Sequence, residues 1–203
     1  FSKSPKWTAE LAQRILEAGL GITWFANSRV DSLDEPLARL MRRSGCRLLA
    51  FGVESGADEV LRAVEKGTDA ATGIRALEAC RNAGLPTLTY WVFGLPGETP
   101  RTIARTHEYV AATRPDYAHF YSPTPLPGSR LCEEWGITES VARGELTWAR
   151  FAQGASSRWH APTVSRLEVE RAVQWSYLRF YGDPGRIARE IRRLRDIDEV
   201  RGR

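Results

Sequence analysis

The chain has 203 residues, 42% hydrophobic and 27% charged, a balance that supports one packed core and excludes disordered and fibrous classes. No apolar run approaches the ~20 residues needed to cross a bilayer, and no leader-type segment opens the sequence, so neither a membrane span nor secretion is expected. The net charge of +4 hints at nucleic acid or an anionic surface, but much of it lies between Arg186 and Arg203, where arginines and acids alternate as on a solvated helix face. The 3 cysteines, Cys46, Cys80 and Cys132, are odd in number and far apart. That spacing excludes a disulfide framework and a CxxC-type metal site and suits a reducing, cytoplasmic setting. The sequence opens on Phe1 and its only methionine is Met41, so it reads as a fragment of a longer protein.

Helical periodicity and short β-rich runs alternate along the first two thirds, which predicts an α/β fold. A first helix is expected over Pro5 to Ala18, with Ser4 as N-cap and Gly19 and Gly21 ending it. A strand over Ile22 to Ala26 follows. Asp34 then caps a helix that turns Leu37, Leu40 and Met41 inward and stops at Gly45, and Arg47 to Val53 makes the second strand. A helical stretch from Asp58 to Ala83 is broken near Gly67, and Thr87 to Phe93 is the third strand. Glu98 and Thr99 open a helix to Thr113; Pro115 stops it, and Tyr117 to Tyr121 is the fourth strand. Beyond Gly128 the alternation ends. Helices near Ser129 to Trp135, Glu139 to Phe151, Ser165 to Tyr181 and Pro184 to Leu194, with a polar loop from Gln153 to Pro162, predict an all-α tail.

Consecutive strand, helix, strand units cross over right-handed and give a parallel sheet, either doubly wound or curved into a barrel. In both, ligands bind at the carboxyl ends of the strands. Those ends are polar and glycine-rich here: Asn27-Ser28-Arg29, Gly52-Val53-Glu54-Ser55-Gly56, Gly94-Leu95-Pro96-Gly97-Glu98-Thr99, and Ser122 to Gly128. Glu54, directly after an apolar strand, is costly to bury unpaired. At a strand rim it is placed to accept two hydrogen bonds from a ribose diol, or equally to cap the helix that follows. Gly94 and Gly97 let the backbone turn and approach a ligand closely. Arg29 suits a bidentate grip on a carboxylate, although arginines at such places are more commonly ion-paired. His107, His119 and His160 have no partners at metal spacing.

The ordered set Arg29-Val30-Asp31, Phe51-Gly-Val-Glu-Ser-Gly56, Lys66-Gly67, Ala83-Gly84-Leu85, Phe93-Gly-Leu-Pro-Gly-Glu-Thr99 and Pro123-Thr-Pro-Leu-Pro-Gly128 resembles the radical S-adenosylmethionine (SAM) superfamily. It is nearest to the branch often joined to a cobalamin-binding domain, such as anaerobic magnesium-protoporphyrin monomethyl ester cyclase and radical SAM methyltransferases. The resemblance implies a fold in which residues 1–135 are the last four strand and helix units of a partial (β/α)6 TIM-like barrel and 136–203 an α-helical extension. It implies that Glu54 binds the SAM ribose with Ser55 nearby, that Arg29 meets the SAM carboxylate, and that the segment from Tyr90 through Val92 and Gly94 to Glu98 lies against adenine and the methionyl part. Tyr121 and Pro123 would border adenine. Tyr90 stands where the family has a glycine, and the glutamate comes one residue late, which fits Glu98 better as a structural anchor than as a ligand.

The family's CxxxCxxC loop, whose thiolates hold a 4Fe–4S cluster, has no counterpart among these cysteines. The resemblance therefore places the cluster ligands upstream of Phe1. It further implies reductive cleavage of SAM to a 5′-deoxyadenosyl radical in the parent enzyme, with methyl transfer or oxidative cyclisation as the reaction and cobalamin as a second cofactor. The implied partners are a small-molecule substrate and a reductant such as flavodoxin or ferredoxin, with no role for nucleic acid. The aromatic-rich tail (Trp148, Phe151, Trp159, Trp175, Tyr177, Phe180, Tyr181) suits closure over a large apolar or planar substrate, although core packing accounts for most of such residues. The competing reading is a cluster-free paralogue that binds SAM or nucleic acid without catalysis.

Overall fold

Four parallel strands and the helices between them build the body of the chain. In the computed structural model, residues 4–146, 151 and 159–201 are described, 193–201 by backbone alone. Helix α1 (Pro5–Glu17) starts where the Ser4 hydroxyl accepts from the Trp7 amide. Then come β1 (Trp24–Ser28), a 3-10 turn at Val30–Ser32, α2 (Glu35–Arg43), capped by the Asp34 side chain, and β2 (Cys46–Glu54). The expected long helix is two, α3 (Asp58–Ala63) and α4 (Ala70–Asn82), broken around Gly67 at φ 71°. β3 (Thr87–Val92), α5 (Pro100–Thr113) and β4 (Tyr117–Tyr121) complete the sheet, whose order is β1-β2-β3-β4 with every neighbouring pair parallel.

The first strand begins two residues later than its sequence suggests. Ile22 is apolar and β-branched, but Gly19 and Gly21 at φ 58° and 61° keep the chain turning, and the ladder starts only where the Trp24 amide meets the Gly45 carbonyl at 3.1 Å.

The two faces of the sheet differ. Thr87, Thr89 and Trp91 of β3 and Ala118 and Phe120 of β4 point to one face and are buried, with Phe51 and Leu49 of β2 beside them. Met41, Leu77, Ile103 and Val110 from the helices close over that face in one continuous core. On the other face lie Asn27, Gly52, Tyr90, His119 and Tyr121, all at least partly open to solvent, and Phe25, which is 77% exposed. Covering on one face only is the pattern of a barrel wall; a doubly wound sheet has helices on both. The partial-barrel expectation therefore holds over the doubly wound one.

The tail is helical as expected: α6 (Arg130–Glu134), α7 (Ile137–Ala142), α8 (Arg166–Tyr181) and α9 (Pro184–Arg201). The predicted helix from Glu139 to Phe151 is shorter, because Gly144 adopts φ 72° and ends it; Trp148 and most of the predicted loop lie outside the described residues. Helix α8 turns Val169, Ala172 and Phe180 into the same core as the sheet. It also seals the free edge of β4. The Tyr181 hydroxyl donates to the Ala118 carbonyl at 2.8 Å and accepts from its amide at 3.1 Å, and the Tyr177 hydroxyl accepts from the Phe120 amide at 3.2 Å. An edge strand left with unpaired polar groups recruits other chains; two tyrosines here take the place of a next strand. Tyr177 and Phe180 meet Phe120 edge-on at 5.2 and 6.0 Å. These tail aromatics thus pack behind β4 and do not reach over the open face.

Candidate functional site

The strand ends converge on one rim, and Glu54 is its most unusual residue. The β2–β3 register slips between Gly52 and Glu54, and Glu54 adopts φ 70°, a left-handed conformation that costs a non-glycine residue about 1–3 kcal/mol and marks sites where the direction of a side chain matters. The carboxylate lies on the open face with Gly52, opposite the buried Phe51 and Val53. There Glu54 Oε1 accepts from Lys66 Nζ at 2.8 Å, and a Cβ added to Gly52 would lie 2.6 Å from Oε1 and 3.1 Å from that Nζ. Gly52 is thus the floor under an ion pair. The bond to Lys66 uses one carboxylate oxygen and one ammonium hydrogen, and a carboxylate accepts further bonds while a lysine has two more donors. Lys66 is the residue that sequence reasoning missed: its only signal was a lysine before a glycine.

The other expected site residues divide. Tyr90 and Tyr121 stand together on the open face, rings stacked at 6.3 Å, with His119 edge-on to Tyr90 at 5.9 Å and its Nδ1 2.6 Å from the Tyr121 hydroxyl. Burial pushes the Tyr121 hydroxyl above the usual phenol range. Since Gly52 pairs with Tyr90 and Tyr90 with His119, this aromatic group flanks the floor of the Glu54–Lys66 pair. Val92 continues the same face and packs near Ala57, Val60 and Leu95; Pro123 is buried just past β4.

Arg29 and Ser55 are engaged with other parts of the chain. The Arg29 guanidinium is held by Asp31 through two hydrogen bonds at 2.9 and 2.8 Å and donates to the Lys66 carbonyl at 3.2 Å, so it braces the segment that carries Lys66. Ser55 is fully buried, its hydroxyl 3.1 Å from Thr106 Oγ1 and accepting from the Ala57 amide, on the helix side of the rim.

In the Gly94–Thr99 turn, Glu98 is fully buried and accepts from Thr102 Oγ1 at 2.7 Å and the Gly94 amide at 3.2 Å; burial raises its carboxyl above the usual range against these bonds. It is an anchor of the turn. Gly94, at φ 97°, permits a close approach, but the partner is the chain's own tail. A Cβ there would lie 3.1 Å from Val169 Cγ2 and 3.2 Å from His160 Cβ, and the Ala161 amide donates to the Gly94 carbonyl at 2.8 Å.

Among the described residues no group of three or more His, Cys, Asp and Glu side chains is placed to hold a metal ion. The three free cysteines are buried, and burial pushes the thiols of Cys46 and Cys80 up to about 11 and about 12. A thiolate-held cluster does not fit them. No helix among the described residues is long and apolar enough to cross a membrane.

The sequence and the fold have counterparts among known proteins. The family model for the Radical SAM superfamily matches residues 4–110. An uncharacterized methyltransferase of Pyrococcus horikoshii is 27% identical over 191 residues, 94% of this chain and 41% of the relative. The anaerobic magnesium-protoporphyrin IX monomethyl ester cyclase of Rubrivivax gelatinosus is 31% identical over 129 residues, 63% of this chain and 23% of the relative. The chain therefore spans less than half the length of these relatives. Among solved structures, the radical SAM methyltransferase TsrM of Kitasatospora setae, with cobalamin and a 4Fe–4S cluster bound, superposes with a TM-score of 0.53 at 23% identity, over 58% of this chain and 23% of that one. Given a parallel sheet covered on one face, a polar rim at its carboxyl ends and a family match over more than half of its length, the chain belongs to the radical SAM superfamily.

Proposed function

We propose that this chain forms the nucleoside side of a SAM site in a larger radical SAM enzyme. The observation that carries the reading is Glu54: a carboxylate turned in a left-handed conformation over a glycine floor and fixed by Lys66. Such a carboxylate suits a ribose diol, whose two hydroxyls donate to it, and charge-assisted bonds of this kind are about twice as strong as neutral ones. Lys66, with two donors left, suits the methionyl carboxylate of SAM. It takes over the part expected of Arg29, which Asp31 already occupies. Tyr90, Val92 and Tyr121 offer an apolar, ring-lined surface beside the ribose position for adenine, bordered by Pro123. Ser55, Gly94 and Glu98 act behind the rim, holding the loops that present these groups.

When bound beside a reduced 4Fe–4S cluster, SAM supplies a carbon radical by one-electron reductive cleavage. The thiolates for that cluster come from outside this chain. The protein's share of the task is to fix the nucleoside and keep water away. Methyltransferase and cyclase relatives, and a neighbour carrying cobalamin, support methyl transfer or oxidative cyclisation as the parent reaction, cobalamin as a second cofactor, and a flavodoxin or ferredoxin as electron donor. They favour this reading over a cluster-free binding domain. The exposed Phe25 ring on the same open face supports a planar or apolar small-molecule substrate.

The test is calorimetric titration of SAM into the full-length protein and its Lys66→Met variant. A Kd at least about tenfold weaker in the variant, the loss of roughly one charge-assisted bond, supports the assignment; equal affinities refute it.

A further inference from the structure

Behind the sheet, on the side away from Glu54, helices α5, α8 and α9 leave a cavity of about 720 Å³ between them, within the ~300–1,000 Å³ usual for small-molecule sites. Four arginines line it, Arg114, Arg179, Arg186 and Arg189, against one acid, Asp183. Several arginines elsewhere are matched: Arg14, Arg39, Arg130, Arg143 and Arg166 each pair with a glutamate four residues away. Among the described residues, Arg114, Arg179 and Arg189 have no such partner. Asp183 offsets one of the four charges and leaves a net excess; its Oδ1 also accepts from the Arg186 amide at 2.7 Å at the start of α9.

Two further observations concern how two of these arginines are placed. Arg186 is pinned, donating to the Asp116 and Pro115 carbonyls at 2.6 and 3.0 Å and lying 3.6 Å over the Phe180 ring. Arg114 sits at the carboxyl end of α5 in a left-handed conformation, φ 48°, where glycine is the unstrained choice. An arginine there faces the cavity at a cost in backbone strain. The floor between the charges is apolar, with the Phe120 and Phe180 rings and Val110. Four positive side chains around one hollow give it a positive potential that favours an anion.

We propose that this cavity binds a small organic anion, a phosphate or carboxylate carried on a planar apolar body. The inference is independent of the SAM reading, because the cavity and the rim lie on opposite faces of the sheet. A concave site with a ring floor favours a small molecule over the flat acidic surface of a protein partner.

The test uses the full-length protein and a double variant, Arg179→Gln with Arg189→Gln, both exposed positions whose replacement leaves the core untouched. Titration with 1-naphthyl phosphate, 2-naphthoate and inorganic phosphate is followed by calorimetry. Saturable binding of at least one aromatic anion, tighter than inorganic phosphate and weakened about tenfold or more in the double variant, supports the proposal; whichever aromatic anion binds more tightly identifies the head group. An unchanged melting temperature and unchanged SAM affinity in the variant show that fold and rim are intact. Failure of both aromatic anions to saturate, or equal affinity in the two proteins, overturns it. So does a variant that loses affinity only for an acidic flavodoxin, which would make this face a protein-docking surface.

Discussion

Replacing Gly52 by alanine perturbs the candidate site without changing a charge. A methyl group there would stand 2.6 Å from Glu54 Oε1, roughly 0.8 Å inside the 3.4 Å at which ordinary contact begins, and 3.1 Å from Lys66 Nζ. Both atoms end flexible side chains, so the pair moves rather than the backbone. Gly52 is not at positive φ, and alanine is compatible with it; such a change alters stability by less than about 1 kcal/mol and tends to favour the folded state. The carboxylate, however, is displaced by a sizeable fraction of a hydrogen-bond length. If it holds the ribose, at least one charge-assisted bond worth about 1.5–3 kcal/mol is lost, which weakens SAM binding about 10- to 100-fold. Calorimetry on the full-length protein measures the affinity, and a thermal melt on the same samples controls for folding. A melting temperature held within a few degrees together with a SAM affinity within twofold of the parent would refute the placement of SAM over Gly52.

Other expected outcomes follow from the frame around the site. Tyr181→Phe strips the Ala118 amide and carbonyl of their partners and should cost about 1–3 kcal/mol, with faster hydrogen exchange at the Ala118 amide; Tyr177→Phe, which removes one bond to the Phe120 amide, should cost roughly half as much. Burial raises the Glu98 carboxyl above its ordinary 4.5, so the native state keeps that proton to higher pH than the unfolded chain. Its contribution to stability is full below about 4.5 and is lost as pH rises through the native value. The neutral Glu98→Gln variant should therefore gain on the parent in urea midpoint as pH is raised from about 4 to 8, and a pH-independent difference would contradict this. Finally, the 203-residue chain alone, with its three buried cysteines, should incorporate no 4Fe–4S cluster on anaerobic reconstitution. Iron and sulfide in stoichiometric amounts would show that its cysteines had been misjudged.

Much of the frame was legible because local chemistry and tertiary context agree there. Ser4 and Asp34 cap helices with their side chains as their sequence positions imply, and Pro115 and Pro123 bracket a strand that forms over Tyr117–Tyr121 as expected. Errors arose where apolar character ran past a glycine. Ile22 stays outside the ladder next to Gly21 at φ 61°, and the helix predicted through Gly144 ends before it.

At the site, Glu54 stood out as a carboxylate following an apolar strand. Lys66 did not, because it reaches Glu54 only once the break between α3 and α4 carries it back to the rim. Gly94 also seats the tail, a contact across more than sixty residues that no local pattern encodes. The arginine-lined cavity was hidden for the same reason. Its residues come from α5, α8 and α9, and in the sequence they look like ordinary solvated charge.

The most direct test of the account is formation of 5′-deoxyadenosine by the full-length protein, reconstituted anaerobically and reduced in the presence of SAM, compared with its Glu54→Gln variant at equal cluster content. The account predicts SAM-dependent 5′-deoxyadenosine from the parent and a Km for SAM raised about tenfold or more in the variant, the effect of weakening one charge-assisted ribose contact. A cluster-loaded parent that releases no 5′-deoxyadenosine, or a variant whose Km for SAM is unchanged, would contradict it.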